Sequence, residues 1–220
     1  MGGLQFAEAQ LALADLREVT LHKTGVIPVT EESRRALEIL LERFTSGRPK
    51  ELIASVPRKP HLLFTDGALE YNELLIDRDG KTSCFGCNVP EPLLQIWQAS
   101  GRTHVIGLVE LYAAVVGLHT WRNTFKNDRV ILFTDSWPAY DAVVKGTAGV
   151  KEWRELLLVL EKTDESHPMH LWTARVPSAS NPADPPSRKN VSDIAFLGDV
   201  NIIDAECPGT NVFLRSYEME

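Results

Sequence analysis

The sequence predicts an α/β protein in which a mixed sheet is flanked by helices. Three observations carry that expectation. Two continuous apolar runs, His61-Leu62-Leu63-Phe64-Thr65 and Val130 to Thr134, have the pattern of strands buried on both faces. A turn signal, Asp77-Arg78-Asp79-Gly80, separates Glu73 to Ile76 from Lys81 to Phe85, which marks an antiparallel hairpin. Beyond it, segments with helical periodicity alternate with extended ones, the order typical of helix-covered sheets.

The elements follow in order. Residues 1–48 read as helical. Phe6, Leu11, Leu13 and Leu16 form a loose first stripe. Ala36, Leu37, Ile39, Leu40, Leu41 and Phe44 form a stronger one, started at Thr30-Glu31-Glu32-Ser33 and ended by Gly47 and Pro49. The basic, proline-bracketed stretch Val56-Pro57-Arg58-Lys59-Pro60 marks a boundary. Residues 1–58 are then a helical extension, 59–190 the main domain and 191–220 a C-terminal extension. Within the main domain, Leu93 to Trp97 is a short helix. His104 to Arg122 is a longer one, with Ile106, Val109, Ala113, Val116 and Leu118 on its apolar side. Tyr140 to Val144 is another short helix, and the leucines of Glu152 to Lys162 mark a further one. His170 to Val176 is the last strand expected. Asn181-Pro182-Ala183-Asp184 then starts a helix, with Pro182 in its first turn.

Composition bounds the function. A chain of 220 residues buries about 70% of the surface it exposes unfolded, enough for a real core. At 44% hydrophobic and 24% charged residues it is neither disordered nor fibrous. Its 23 Lys and Arg against 30 Asp and Glu leave a net charge of −7. That argues against holding nucleic acid by bulk charge alone, while allowing a local basic groove. Three cysteines, Cys84, Cys87 and Cys207, form no disulfide framework in a chain of this length, so a reducing compartment is expected. Cys84-Phe85-Gly86-Cys87 lacks the second pair that a structural zinc site needs, so unbridged thiols are expected. The first residues lack the basic start and apolar stretch of a signal peptide, and Phe6 stands where myristoylation requires Ser or Thr. The longest apolar stretch, Val105 to Leu118, is broken by Glu110 and too short to span a bilayer. A cytoplasmic or nuclear protein with no membrane partner is expected.

Both buried strands end alike, in Leu63-Phe64-Thr65-Asp66-Gly67 and Leu132-Phe133-Thr134-Asp135-Ser136. Each sets a carboxylate where an apolar strand leaves the sheet, and the carboxyl ends of such strands are where α/β sheets bind ligands. Glu110 is a third carboxylate, inside an apolar helix where a charge is least expected. Asp184 is a fourth, opening the segment after the last expected strand. Alone, each has a plainer role, as a turn cap or a solvent-facing charge. Together, in the order Asp, Glu, Asp, Asp with gaps of 44, 25 and 49 residues, they suit two-metal phosphoryl transfer. In that chemistry two Mg²⁺ ions about 4 Å apart activate a water and stabilise the leaving oxygen. Hard oxygen ligands fit Mg²⁺.

The series Phe64-Thr65-Asp66-Gly67, Glu110-Leu111-Tyr112-Ala113, Thr134-Asp135-Ser136 and Asn181-Pro182-Ala183-Asp184 resembles the ribonuclease H superfamily. Val176-Pro177-Ser178 through Asn181-Pro182-Ala183-Asp184 and Ser187-Arg188 is similar to ribonuclease H domains attached to reverse transcriptases of DIRS-like and gypsy-like retrotransposons. The resemblance covers residues 60–190. Residues 1–58 look like the helical segment after the polymerase palm in such polyproteins. The resemblance implies a five-stranded mixed sheet, two Mg²⁺ ions for which Mn²⁺ can substitute, and cleavage of RNA in an RNA–DNA hybrid to leave 3′-hydroxyl and 5′-phosphate ends. It also implies a reverse transcriptase polymerase domain as partner. By its pattern Asp66 bridges both metals, Asp184 shares the ion that activates water, and Glu110 and Asp135 hold the ion facing the leaving group. Many members carry a histidine in a loop before the last aspartate. Here Arg175-Val176-Pro177-Ser178-Ala179-Ser180 has none, and His170 lies earlier, within a strand, so slower turnover is implied.

Ser136 and Arg188 are the candidate substrate-binding residues. Asn72 or Asn88 is placed to meet phosphates or the 2′-hydroxyls that distinguish RNA from DNA. Arg102, Arg122, Lys126, Arg175, Arg188 and Lys189 supply a candidate phosphate-binding face. Trp97, Trp121, Trp153 and Trp172 are expected in the core, and Trp137, beside Asp135-Ser136, is the one considered for stacking on substrate. Three other readings compete. A non-catalytic scaffold or connection domain of the same fold typically loses acidic ligands, whereas this chain keeps all four. Another nuclease of the superfamily fits the Asn-Pro-Ala-Asp ending less well. An ordinary α/β domain whose acids only cap turns would bind no divalent metal.

Overall fold

The computed structural model describes residues 29, 31–46, 58–67, 70–99, 105–184 and 197–208. The stripe expected over Phe6 to Leu16, most of the C-terminal extension, and Arg102, Arg188 and Lys189 lie outside the described residues. Helix α1 (Glu31–Ser46) coincides with the stronger apolar stripe and stops before Gly47. Leu37, Leu41 and Phe44 on it are exposed among the described residues.

Six strands make one mixed sheet: β1 (His61–Asp66), β2 (Glu70–Ile76), β3 (Thr82–Asn88), β4 (Arg129–Thr134), β5 (His170–Arg175) and β6 (Val200–Ile202). Their spatial order is β5-β4-β1-β2-β3-β6. β1, β2 and β3 are an antiparallel meander. At the expected turn, Asp77 Oδ1 accepts the Asp79 N–H at 2.8 Å and the Lys81 N–H at 2.9 Å. This is the self-bonding that makes Asp a turn former. β4 lies parallel to β1, from His61↔Val130 to Phe64↔Phe133, and β5 lies parallel to β4. β1 and β4 therefore run side by side in one direction, so the residues just past Phe64 and Phe133 leave the sheet at the same end.

The expectation of a mixed sheet flanked by helices holds. The strand count does not, because β6 adds a sixth strand parallel to β3, with Thr82↔Val200 and Cys84↔Ile202 paired. Val200-Asn201-Ile202 is too short to show a period. What makes it a strand is the open edge of β3, which offers unpaired backbone groups to any extended segment brought beside it.

The helices are α2 (Glu91–Ala99), α3 (Ile106–Thr120), α4 (Arg122–Phe125), α5 (Trp137–Lys145) and α6 (Lys151–Ser166). α3 packs against β1 and β2 on one side and against α5 and α6 on the other. Every residue from Leu111 to Leu118 is buried. The single apolar side expected for α3 is thus a correction: the helix is apolar nearly all round because it is covered nearly all round. Ile106, expected on that side, is 56% exposed in the first turn. Trp97 and Trp121 are in the core, but Trp172 is 57% exposed. It stands on edge strand β5, and strand alternation turns it away from the side that buries Leu171.

At the end of the sheet opposite Asp66, His61, Arg78 and Asp128 clasp the start of β1 to the hairpin turn and to the start of β4. His61 Nε2 is 3.5 Å from the Asp128 carboxylate, which Arg78 also grips. Burial acts to raise the Asp128 carboxyl, but the Arg129 N–H, Arg78 and His61 outweigh it and hold it below its ordinary value. No helix among the described residues is long and apolar enough to cross a membrane.

Candidate metal centre

Three of the four expected carboxylates converge. Asp66, Glu110 and Asp135 each present an oxygen within 4.8 Å of the others. They are contributed by the end of β1, the first turns of α3 and the residue after β4. Asp66 is buried, and the other two are half-buried.

Local packing explains why Glu110 turns inward. Gly67 follows Asp66, and its backbone lies so close to α3 that a Cβ there would sit 2.5 Å from Glu110 Cα. Only glycine permits that approach. The Gly67 N–H then donates to Glu110 Oε2 at 3.0 Å, which fixes the carboxylate beside Asp66. Burial, then the charges of Asp135 and Asp66, push the Glu110 carboxyl up to about 8, although the Gly67 N–H favours the charged form.

Asp135 is held from two sides. Ser178 Oγ donates to Asp135 Oδ2, and the Arg175 guanidinium donates to the Asp135 carbonyl at 2.5 Å. Asp135 Oδ1 is buried with no hydrogen-bond partner among the described residues. An orphaned carboxylate oxygen is costly unless something cationic meets it. Three hard oxygen donors, one of them orphaned and one pushed toward neutrality by its neighbours, fit a divalent ion such as Mg²⁺.

Asp184 does not belong to the converging set. It does lie in a segment anchored to the site, because buried Asn181 donates from Nδ2 to the Thr65 carbonyl at 2.9 Å. The Asp184 N–H returns to the Asn181 carbonyl at 3.0 Å. A helix begins at Asp184, as expected, and continues outside the described residues. Ser136 is committed to structure. It is the N-cap of α5, its Oγ accepting the Ala139 N–H at 3.4 Å. Asn88 and Lys126 are exposed, and Arg122 is paired with Glu206 at 2.6 Å.

Several participants were not among the residues singled out for this centre. Ser178 and Asn181 anchor it from the loop after β5. Arg175 lies with its guanidinium carbon 4.3 Å from the centroid of the Trp137 ring, which is 61% exposed. This sets a cation and an aromatic face beside Asp135. Glu73 is the fourth carboxyl near the centre. It is fully buried on β2 opposite Thr65, and neither of its oxygens has a hydrogen-bond partner. Burial, then the charges of Glu110 and Asp66, hold its pKa well above the usual carboxylate range. It fits because Gly117 of α3 leaves room: a Cβ there would meet Glu73 Oε2 at 2.5 Å. No local pattern marks a glutamate inside Glu73-Leu74-Leu75-Ile76 as buried.

Neither the protein-family models nor the curated proteins contain a match to this chain.

Proposed function

We propose that this protein is a metal-dependent nuclease that hydrolyses the RNA strand of RNA–DNA hybrids, a ribonuclease H working beside a reverse transcriptase polymerase domain. One observation carries the proposal. Three carboxylates distant in sequence meet within 4.8 Å at the carboxyl ends of two adjacent parallel strands. The order of these residues, with Asp184 after them, supports the choice of ribonuclease H over other phosphoryl-transfer enzymes.

Asp66, Glu110 and Asp135 would hold the metal, with Asp184 brought in from the Asn181-anchored segment. Bound Mg²⁺ would supply positive charge at the scissile phosphate and acidity to an attacking water. The chain's own residues do the rest. The Gly67 N–H and Ser178 Oγ fix the directions of Glu110 and Asp135, so the site needs little rearrangement to accept cations. Arg175 offers a fixed positive charge next to Asp135 for a substrate phosphate, and exposed Trp137 offers a flat surface beside it. With no histidine in residues 175–180, no imidazole is available there to assist proton transfer or product release.

The test is cleavage of a labelled RNA–DNA hybrid in Mg²⁺, Mn²⁺ or chelator, comparing wild type with Asp66→Asn. Metal-dependent cleavage of the RNA strand is expected in wild type and none in the variant. Its metal-free thermal stability should be equal or higher, because one of the crowded carboxylates is gone. A folded wild type that binds hybrid without cutting it would replace this reading with a non-catalytic scaffold of the same fold. Cutting of double-stranded DNA instead would point to another nuclease class.

A further inference from the structure

The three cysteines, expected as unrelated thiols, are arranged unequally. Cys84 and Cys87 sit three residues apart on β3, so their side chains leave opposite faces of the strand. Cys84 is buried in the core. Cys87 is half-buried, and its Sγ lies 3.4 Å from Sγ of Cys207, which is 120 residues further along the chain and also half-buried. Cys207 belongs to the segment that continues β6 along the edge of the sheet. That segment is held lightly. It has a three-residue ladder, an Ile203 N–H to Cys84 carbonyl bond of 2.9 Å, a Glu206 N–H to Thr120 Oγ1 bond of 3.1 Å and the Arg122–Glu206 ion pair.

We propose that Cys87 and Cys207 are a reversible dithiol–disulfide pair whose oxidation staples the β6 segment to the sheet edge. Bringing the sulfurs from 3.4 Å to bonding distance, about 2.05 Å, needs only a small movement of the exposed β6 segment. The oxidant is a small-molecule disulfide of the glutathione type. One cysteine thiolate attacks it, forming a mixed disulfide and expelling one small thiol. The second cysteine thiolate then attacks the protein-side sulfur, forms the Sγ–Sγ bond and expels the second small thiol. Two protein thiols lose two electrons, the small disulfide gains them, and the two protons leave on the expelled thiols. Cys84 stays out of the exchange, because burial shields its sulfur and pushes its thiol pKa up. The closed loop runs from residue 87 to residue 207. It contains Glu110, Asp135 and Asp184, and leaves the position of each unchanged.

The experiment treats the full chain with glutathione disulfide, maps peptides by mass spectrometry without reduction, and follows amide hydrogen exchange. The expected result is one cross-link joining Cys87 to Cys207, with Cys84 still a thiol and full reversal by dithiothreitol. Exchange over residues 200–207 should slow by about tenfold or more in the oxidised form. Cys84→Ser should leave the cross-link intact, whereas Cys207→Ser should stop at a glutathione adduct on Cys87. Separate adducts on Cys87 and Cys207 without a cross-link, a cross-link through Cys84, or unchanged exchange over 200–207 would each overturn the proposal.

Discussion

Glu110 and Glu73 show how differently two buried carboxyls are used. Glu110 is pushed from its ordinary 4.5 up to about 8 by burial and by Asp135 and Asp66, so without metal it is largely protonated at neutral pH. Cation binding requires the ionised form. Uptake of Mg²⁺ below pH 8 should therefore release a proton, and affinity should climb with pH and level off above about 8. Titration calorimetry in buffers of different ionisation heat would detect that proton, and a pH-independent affinity would contradict the arrangement. Glu73 has no such ligand to meet. Its folded pKa, like that of Glu110, is raised. Its contribution to metal-free stability is thus complete below about pH 4.5 and declines as pH rises. Replacing it with an apolar side chain of similar length, Glu73→Met, should stabilise the metal-free protein by about 1–3 kcal/mol. The gain in melting temperature should be larger at pH 8 than at pH 5. An equal gain at both would mean that its burial carries no proton linkage.

Elements place these residues by backbone contact as much as by side-chain packing. The junction of β1 and α3 depends on Gly67, whose backbone is pressed against Glu110. Gly67→Ala should push α3 away from the strand end, cost about 1–3 kcal/mol, and weaken divalent-ion binding more than its stability loss explains. Thermal melts with and without Mg²⁺ measure both effects. A variant that melts early but keeps its full Mg²⁺-induced shift would show that the junction serves packing alone. The clasp of His61, Arg78 and Asp128 at the far end of the same strands plays the complementary part. It holds β1, the hairpin turn and β4 in register, so their other ends deliver Asp66 and Asp135 side by side.

At the scale of the molecule, a net charge of −7 must be reconciled with a polyanionic substrate. Few local cations, Arg175 among them, can meet phosphates, so isolated hybrid affinity should be modest. In the uncleaving Asp66→Asn variant, anisotropy across a salt series should give a log–log slope of about −2 to −4, as a few phosphate contacts would produce. A slope near zero would argue that the chain does not grip a nucleic-acid backbone. The single exposed cation–aromatic pair beside the carboxylates, Arg175 over Trp137, marks the face where that contact is expected.

Much of this architecture was legible locally. The five longer strands, the Asp77–Gly80 turn, most helices and the carboxylates Asp66, Glu110 and Asp135 follow from apolar period, turn chemistry and misplaced charge. These are properties of residues close together in the chain. The sixth strand, the exposure of Trp172, the burial of Glu73, the anchoring of the site by Ser178 and Asn181, and the approach of Cys87 to Cys207 were not. Each depends on a partner brought near from far along the chain, and no short-range pattern records it. The sequence alone determined which residues carry charge into an apolar environment. The tertiary structure decided which of them meet, because only the parallel pairing of β1 with β4 and the glycine contact with α3 bring three carboxylates to one point.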